Sequence, residues 1–174
     1  CLIHSSWLAE DEADMFDYSP DYADMIAEKG IFVDPTLALS RLNQLRSVDG
    51  IGPASGAFAS TDLRYEILRD MWDRGVKFVT GMDSGMTNAN FDDFAYIPEV
   101  MVEDMGITPM EAIVSATQVS ADCLGLLDEI GTLEEGKAAD VLIINGNPAE
   151  DIRALHSVNT IVKQGELIKQ KNEL

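Results

Sequence analysis

Val76-Lys77-Phe78-Val79-Thr80-Gly81-Met82-Asp83-Ser84-Gly85 is the stretch on which the reading of this chain turns. An apolar, β-branched run leaves Gly75 and stops at a glycine-rich corner. Short apolar runs of this kind are how strands buried on both faces read in parallel sheets. The corner delivers one carboxylate, Asp83, where such a strand would end, and that edge is where α/β folds place their chemistry. Gly81 and Gly85 leave the backbone around Asp83 free for tight turns and close approach of a ligand.

Working back from Gly75, a helix is expected from about Asp62 to Arg74, with Leu63, Ile67, Leu68 and Met71 on one face. The same unit occurs earlier. Ser19 caps a helix that opens on Pro20 and runs to about Lys29, burying Met25 and Ile26. Gly30 ends it, Ile31-Phe32-Val33 follows as a strand, and Asp34-Pro35-Thr36 closes that strand, since proline removes a ladder donor. Helix, glycine, apolar strand and polar turn, repeated, predict parallel βα units. Leu2-Ile3-His4 is a shorter apolar run that also ends in a ligand-type residue.

Two long connections flank these units. Residues 38–61 carry a short helical piece around Arg41 to Arg46 and then Gly50, Gly52, Pro53 and Gly56, and read as a candidate lid. Residues 86–97, with Asn88, Asn90, Asp92, Asp93 and three aromatics, would wall a site beside Asp83. A helix over Pro98 to Met105 follows. Thr108-Pro109-Met110-Glu111 then forms a capping box, opening a helix to Leu124 with Ile113, Val114, Thr117 and Leu124 inward.

Near residue 128 the character changes. Ile130-Gly131-Thr132-Leu133 reads as a strand, Val141-Leu142-Ile143-Ile144 as another, and Asn145-Gly146 as a hairpin turn. Asn159 to Lys163 and Glu166 to Ile168 form a further hairpin about Gln164-Gly165. Residues 1–128 and 129–174 are therefore expected to be separate modules.

Charge narrows the function classes. Twelve basic against 31 acidic residues give a formal net charge of −19, which disfavours nucleic acid and anionic membranes as partners. No apolar run is long enough to span a bilayer, and there is no basic-then-apolar leader. Cys1 and Cys123 make no disulfide framework, so a reducing cytoplasm is the simplest compartment. An apolar start on Cys-Leu-Ile-His looks like a cut through a fold.

His4 and Asp83 are the pair that carries chemistry. Both residue types ligate zinc and similar ions, and a carboxylate beside an activated water can take its proton. Two residues do not close a metal site. His156 has no ligand-type neighbours at metal spacing and reads as structural or surface. The acidic run from Glu10 to Asp24 lacks the pattern of a calcium loop, and Gly-Lys-Ala-Ala at 136–139 lacks that of a phosphate loop.

The stretch Ile130-Gly131-Thr132-Leu133-Glu134-Glu135-Gly136-Lys137-Ala138-Ala139-Asp140-Val141-Leu142 resembles the C-terminal signature of the metal-dependent amidohydrolase superfamily, in its imidazolonepropionase-like and Xaa-Pro dipeptidase-like branch. The likeness continues through Gly146-Asn147-Pro148, Asp151-Ile152 and Val162-Lys163-Gln164-Gly165. Upstream it takes in Gly106-Ile107-Thr108-Pro109, Glu111-Ala112-Ile113, Ala116-Thr117, Gly81 to Gly85 and Leu2-Ile3-His4.

The resemblance implies the last part of a (β/α)8 TIM barrel followed by a β-sandwich segment. His4 would end the sixth strand, Ile31 to Val33 would be the seventh, and Asp83 would end the eighth. Asp83 would be metal ligand and general base, and His4 a metal or substrate ligand, with Ser84 beside them at the substrate. The cofactor implied is a divalent ion, most simply Zn²⁺, and the substrate a cyclic amide or dipeptide-like amide. The family's first-strand His-X-His pair, fourth-strand Lys or Glu and fifth-strand His have no counterpart here. Alone, the chain is then expected to be inactive and to associate, as a homo-oligomer or with a missing N-terminal half. The alternative is a scaffold that keeps the fold without the chemistry.

Overall fold

The computed structural model describes residues 1–5, 7, 16–46, 61–85 and 88–170. Three short strands, β1 (Leu2–Ile3), β2 (Phe32–Asp34) and β3 (Lys77–Phe78), form one parallel sheet in the order 1-2-3. Leu2 is in register with Val33, and Val33 in turn with Phe78. The ladder runs on past the strands, with His4 N–H donating to Asp34 O and Val79 N–H to Val33 O, both at 2.9 Å.

The connections between strands are helical, as parallel strands require. Helix α1 (Pro20–Glu28) opens on Pro20 after an extended Ser19, whose side chain makes no capping bond. After Lys29, Gly30 takes φ 61°, Gly30 N–H reaches Ala27 O, and Ile31 N–H reaches Ile26 O. That is a Schellman stop, and only glycine adopts its left-handed residue without strain. Helix α3 (Thr61–Asp73) ends the same way at Gly75, with Gly75 N–H on Trp72 O and Val76 N–H on Met71 O. The expected repeat of helix, glycine and strand is therefore built from one backbone motif used twice.

The core lies between this sheet and its helices. Val33, Leu37, Leu42, Leu68, Met71, Phe78, Ile97, Val100 and Met101 are all at most 1% exposed. The buried face of α3 is rotated from the expected one. Arg64, Ile67, Leu68 and Met71 occupy i, i+3, i+4 and i+7, while Leu63 is 44% exposed. On α1 Ala23 and Ile26 are buried and Met25 faces out.

Helix α2 (Ala38–Leu45) is longer than expected and starts directly after the β2 corner. Residues 47–60, the rest of the candidate lid, lie outside the described residues, as do Met86 and Thr87 of the second loop. Helix α4 spans Tyr96–Glu103, two residues earlier than expected. Helix α5 (Pro109–Val114) opens on a full capping box: Glu111 N–H donates to Thr108 Oγ1, and Thr108 N–H to Glu111. It continues through a π-turn (Ser115–Val119) into α6 (Ser120–Cys123), which Gly125 stops.

Small residues, not the expected large ones, face inward on this helix: Ala112, Ser115 and Ala121 are buried and Leu124 is 69% exposed. The reason is a close polar seam with β3. Ser115 Oγ donates to Phe78 O at 2.7 Å, and Thr80 N–H to Ser120 Oγ at 3.3 Å.

The C-terminal stretch forms a separate antiparallel sheet of β4 (Val141–Ile144), β5 (Val158–Lys163) and β6 (Glu166–Gln170), in that order. Gln164 and Gly165 both take positive φ, 51° and 83°, the pairing of a type I′ hairpin turn. Two expectations fail here. Residues 130–132 are bend and Leu133 is irregular, not strand. Asn145-Gly146 is a bend that does not join β4 to β5 directly; residues 145–157, with a 3₁₀ turn at Ile152–His156, make that connection. Among the described residues no helix is long and apolar enough to cross a membrane.

Candidate functional site

The carboxyl ends of β1, β2 and β3 meet along one edge, and each leaves its strand through a residue that adopts an unusual backbone. His4 takes φ 59°, Thr36 φ 47° and Asp83 φ 54°. Thr36 is β-branched, for which the left-handed region is a true outlier. Such conformations persist only where their surroundings hold them, and they gather at functional sites.

The sequence-predicted residues all fall on this edge. His4 follows β1 directly, and its Nδ1 lies 3.3 Å from Thr36 Oγ1. Asp83 stands five residues beyond β3 and is exposed, with the half-buried Ser84 next to it. Sequence reasoning missed what joins them. Asp34, the last residue of β2, is 9% exposed, and its Oδ1 accepts from Thr36 N–H and from Gly81 N–H, each at 3.0 Å. Pro35 O accepts from Thr36 Oγ1 at 2.8 Å and from the buried Arg64 guanidinium. The signals were the Asp-X-Thr spacing, which favours an Asx turn, and an arginine within an apolar helical stripe.

The two long connections expected to wall the site are tied to each other. Arg46, just past α2, donates to both carboxylate oxygens of Asp93 and, at 2.7 Å, to Asn88 O. Asn88 Nδ2 donates to Asn43 Oδ1 at 2.8 Å. The Arg46 guanidinium holds the Asp93 carboxyl below the usual carboxylate range despite its burial, with help from the Asn90 N–H. Phe91 projects from the same loop and is 85% exposed.

A separate open cavity of about 560 Å³ lies between α3 and α4, lined by Asp62, Tyr65, Arg69, Asp70 and Glu103 among others. None of His4, Asp83 and Ser84 borders it.

The donor chemistry at the strand edge suits a hard or borderline cation, since an imidazole and a carboxylate are offered. It falls short of a complete centre. Among the described residues no group of three or more His, Cys, Asp or Glu gathers to hold an ion, whereas a catalytic zinc takes about three protein ligands.

A parallel sheet carrying His and Asp at its carboxyl edge, followed by an antiparallel tail sheet, has clear relatives. Residues 12–168 match the model of the Amidohydrolase family, and the chain belongs to that family. It is 30% identical over 155 residues to the imidazolonepropionase of Geobacillus kaustophilus, covering 84% of this chain and 36% of that one. It is 28% identical to the 5-methylthioadenosine/S-adenosylhomocysteine deaminase of Caldanaerobacter subterraneus, over 86% of this chain and 41% of that one. Among solved structures it superposes on a Xaa-Pro dipeptidase with bound methionine at a TM-score of 0.72 and 29% identity, over 96% of this chain and 39% of that one. Ochratoxinase from A. niger gives a TM-score of 0.73 at 26% identity, over 98% and 37%. The chain thus spans between about a quarter and two fifths of the length of the curated relatives it matches.

Proposed function

We propose that this chain forms the closing part of a (β/α)8-barrel hydrolase that cleaves a C–N bond in a small amide or dipeptide-like substrate. In that reading β1, β2 and β3 are barrel strands six, seven and eight, residues 1–128 are barrel, and residues 129–174 belong to a β-sandwich. The observation that carries it is the placement of His4 and Asp83 at the same carboxyl edge of one parallel sheet, each in a left-handed backbone conformation. The family membership supports the reaction class, since deaminase and dipeptidase relatives both act at carbon–nitrogen bonds.

Asp83 is the general base. Its exposed carboxylate takes a proton from the attacking water and returns it to the departing nitrogen, so that one side chain serves both halves of the hydrolysis. His4, kept in place by Thr36, binds substrate or a divalent ion, and Ser84 contacts substrate. A divalent ion such as Zn²⁺, where present, acidifies the water and polarises the scissile carbonyl. The remaining ligands would come from other strands of the barrel or from a second chain, because the described residues of this one offer two.

The test is turnover on a panel of cyclic amides and dipeptides by the protein that carries this chain. Asp83→Asn keeps the shape and removes the base. A fall in kcat of at least about 100-fold is expected, the scale of a lost general base. Near-normal turnover in that variant removes Asp83 from the role.

A further inference from the structure

We propose that Asp34 is the positioning residue of this site: its backbone carbonyl holds the exit of β1 in the sheet ladder, and its carboxylate ties the β2 corner to the exit of β3. The inference rests on the reading of His4 and Asp83 as partners in one site and adds the device that aligns them.

Three contacts make the case. The backbone carbonyl of Asp34 accepts the N–H of His4 at 2.9 Å, which fixes the exit of β1. Its Oδ1 accepts the N–H of Thr36 at 3.0 Å, which folds the β2 corner back so that Thr36 Oγ1 comes within 3.3 Å of His4 Nδ1. The same oxygen accepts the N–H of Gly81 at 3.0 Å, which fixes the exit of β3 two residues before Asp83. The Thr36 bond alone would be an ordinary Asx turn. The Gly81 bond is different, because it joins residues 47 apart in sequence.

Gly81 carries the complementary half. A Cβ built on it would lie 1.7 Å from Asp34 Oδ2 and 2.5 Å from Cγ. The glycine in the Gly81-Met82-Asp83 corner is therefore required by the carboxylate of the neighbouring strand, and its own φ is not the reason, since Gly81 is absent from the positive-φ residues. The corner is clamped from behind as well. Pro35 O is held by the Arg64 guanidinium, so the Asp34-Pro35-Thr36 backbone is fixed on both sides. A shift of about 1 Å in a reacting group costs up to about 100-fold in rate. A carboxylate that ties the Thr36 corner, whose hydroxyl meets His4, to the backbone leading into Asp83 acts on that scale without touching substrate.

The experiment uses the protein that carries this chain, with Asp34→Ala, Asp34→Asn, Gly81→Ala and the pair Asp34→Gly with Gly81→Ala. Hydrogen exchange of the Gly81 amide is read first, since it reports the bond independently of activity. Asp34→Ala is expected to speed that exchange at least about tenfold, and Asp34→Asn, which keeps an accepting oxygen, to leave it within about threefold. On the activity side, Asp34→Ala should lower kcat by roughly 10- to 100-fold with KM within about twofold, and Asp34→Asn should restore most of it. Gly81→Ala should lower Tm, and Asp34→Gly in the same chain should recover part of that loss, a coupling expected only of residues in contact.

Unchanged Gly81 exchange in Asp34→Ala, or strict additivity of the pair, overturns the proposal whatever the site does. Full kcat in Asp34→Ala overturns it too, provided Asp83→Asn is inactive. If Asp83→Asn is active, the reading of the site has failed, and the exchange and coupling results still decide whether Asp34 joins the strand exits.

Discussion

Glu99 on α4 places one carboxylate oxygen 2.9 Å from Arg41 on α2 and the other 2.6 Å from His156 Nε2 in the tail's 3₁₀ turn. Glu99 is 6% exposed, so both contacts are made largely out of water. Arg153, beside His156, donates to Glu103 of the same helix at 2.5 Å. The tail sheet is thus fastened to the helical layer by α4, and His156, which carries no chemistry in the sequence reading, is a fastening residue.

Glu99→Ala leaves Arg41 with Glu103 and Asp104 and leaves His156 with no carboxylate there. Removing one partner of a buried charge-assisted bond costs about 1–3 kcal/mol. A fall in Tm of a few degrees is expected by calorimetry. The double variant with His156→Ala should lose less than the sum of the singles, because the two share one contact.

The Arg46–Asp93 pair predicts the acid side of the stability curve. Asp93 titrates below its ordinary value because Arg46 donates to it. A depressed carboxylate contributes stability that is whole above the unfolded value, about pH 4, and is lost as pH falls through the folded value. Thermal melts from pH 6 down to pH 2.5 should show Tm dropping below about pH 4. In Asp93→Asn the melts should start lower and slope less.

Two tyrosines set the alkaline side. Burial pushes the Tyr65 phenol up to about 12. Burial and the hydrogen bond it donates to Asp70 raise Tyr18 as well. The unfolded chain then ionises first as pH rises, near pH 10. The contribution of these phenols is whole below that point and is lost as pH climbs toward the folded values. Tm should fall from about pH 10 to 12, and Tyr65→Phe should flatten that fall.

The fold was legible where local chemistry and tertiary demand agree. Gly30 and Gly75 mark Schellman stops, Thr108-Pro109-Met110-Glu111 forms its capping box, and Gln164-Gly165 turns the final hairpin. Each is a backbone requirement written into a few adjacent residues. The reading failed where packing against a distant partner decides. Leu63 looked inward, but the adjacent Arg64 takes the buried stripe because its guanidinium meets Pro35 O at the β2 corner. Leu124 looked inward, but it is exposed, and the seam with the β3 strand is made by Ser115 and Ser120 instead.

The site divides the same way. His4 and Asp83 were visible as polar residues ending apolar runs. Asp34 was read only as part of a strand end, because its second partner, Gly81, is 47 residues away. A sequence carries no local mark for a bond of that span.

The central claim is that His4 and Asp83 belong to one site. Its most direct test is the divalent-metal content of the protein that carries this chain, measured by plasma mass spectrometry beside His4→Ala and Asp83→Ala, with folding of each checked by circular dichroism. The account predicts a stoichiometric ion, most simply zinc, that falls by at least about tenfold in Asp83→Ala and also falls in His4→Ala, as the loss of a ligand demands. Full metal retained in a folded Asp83→Ala variant would contradict it.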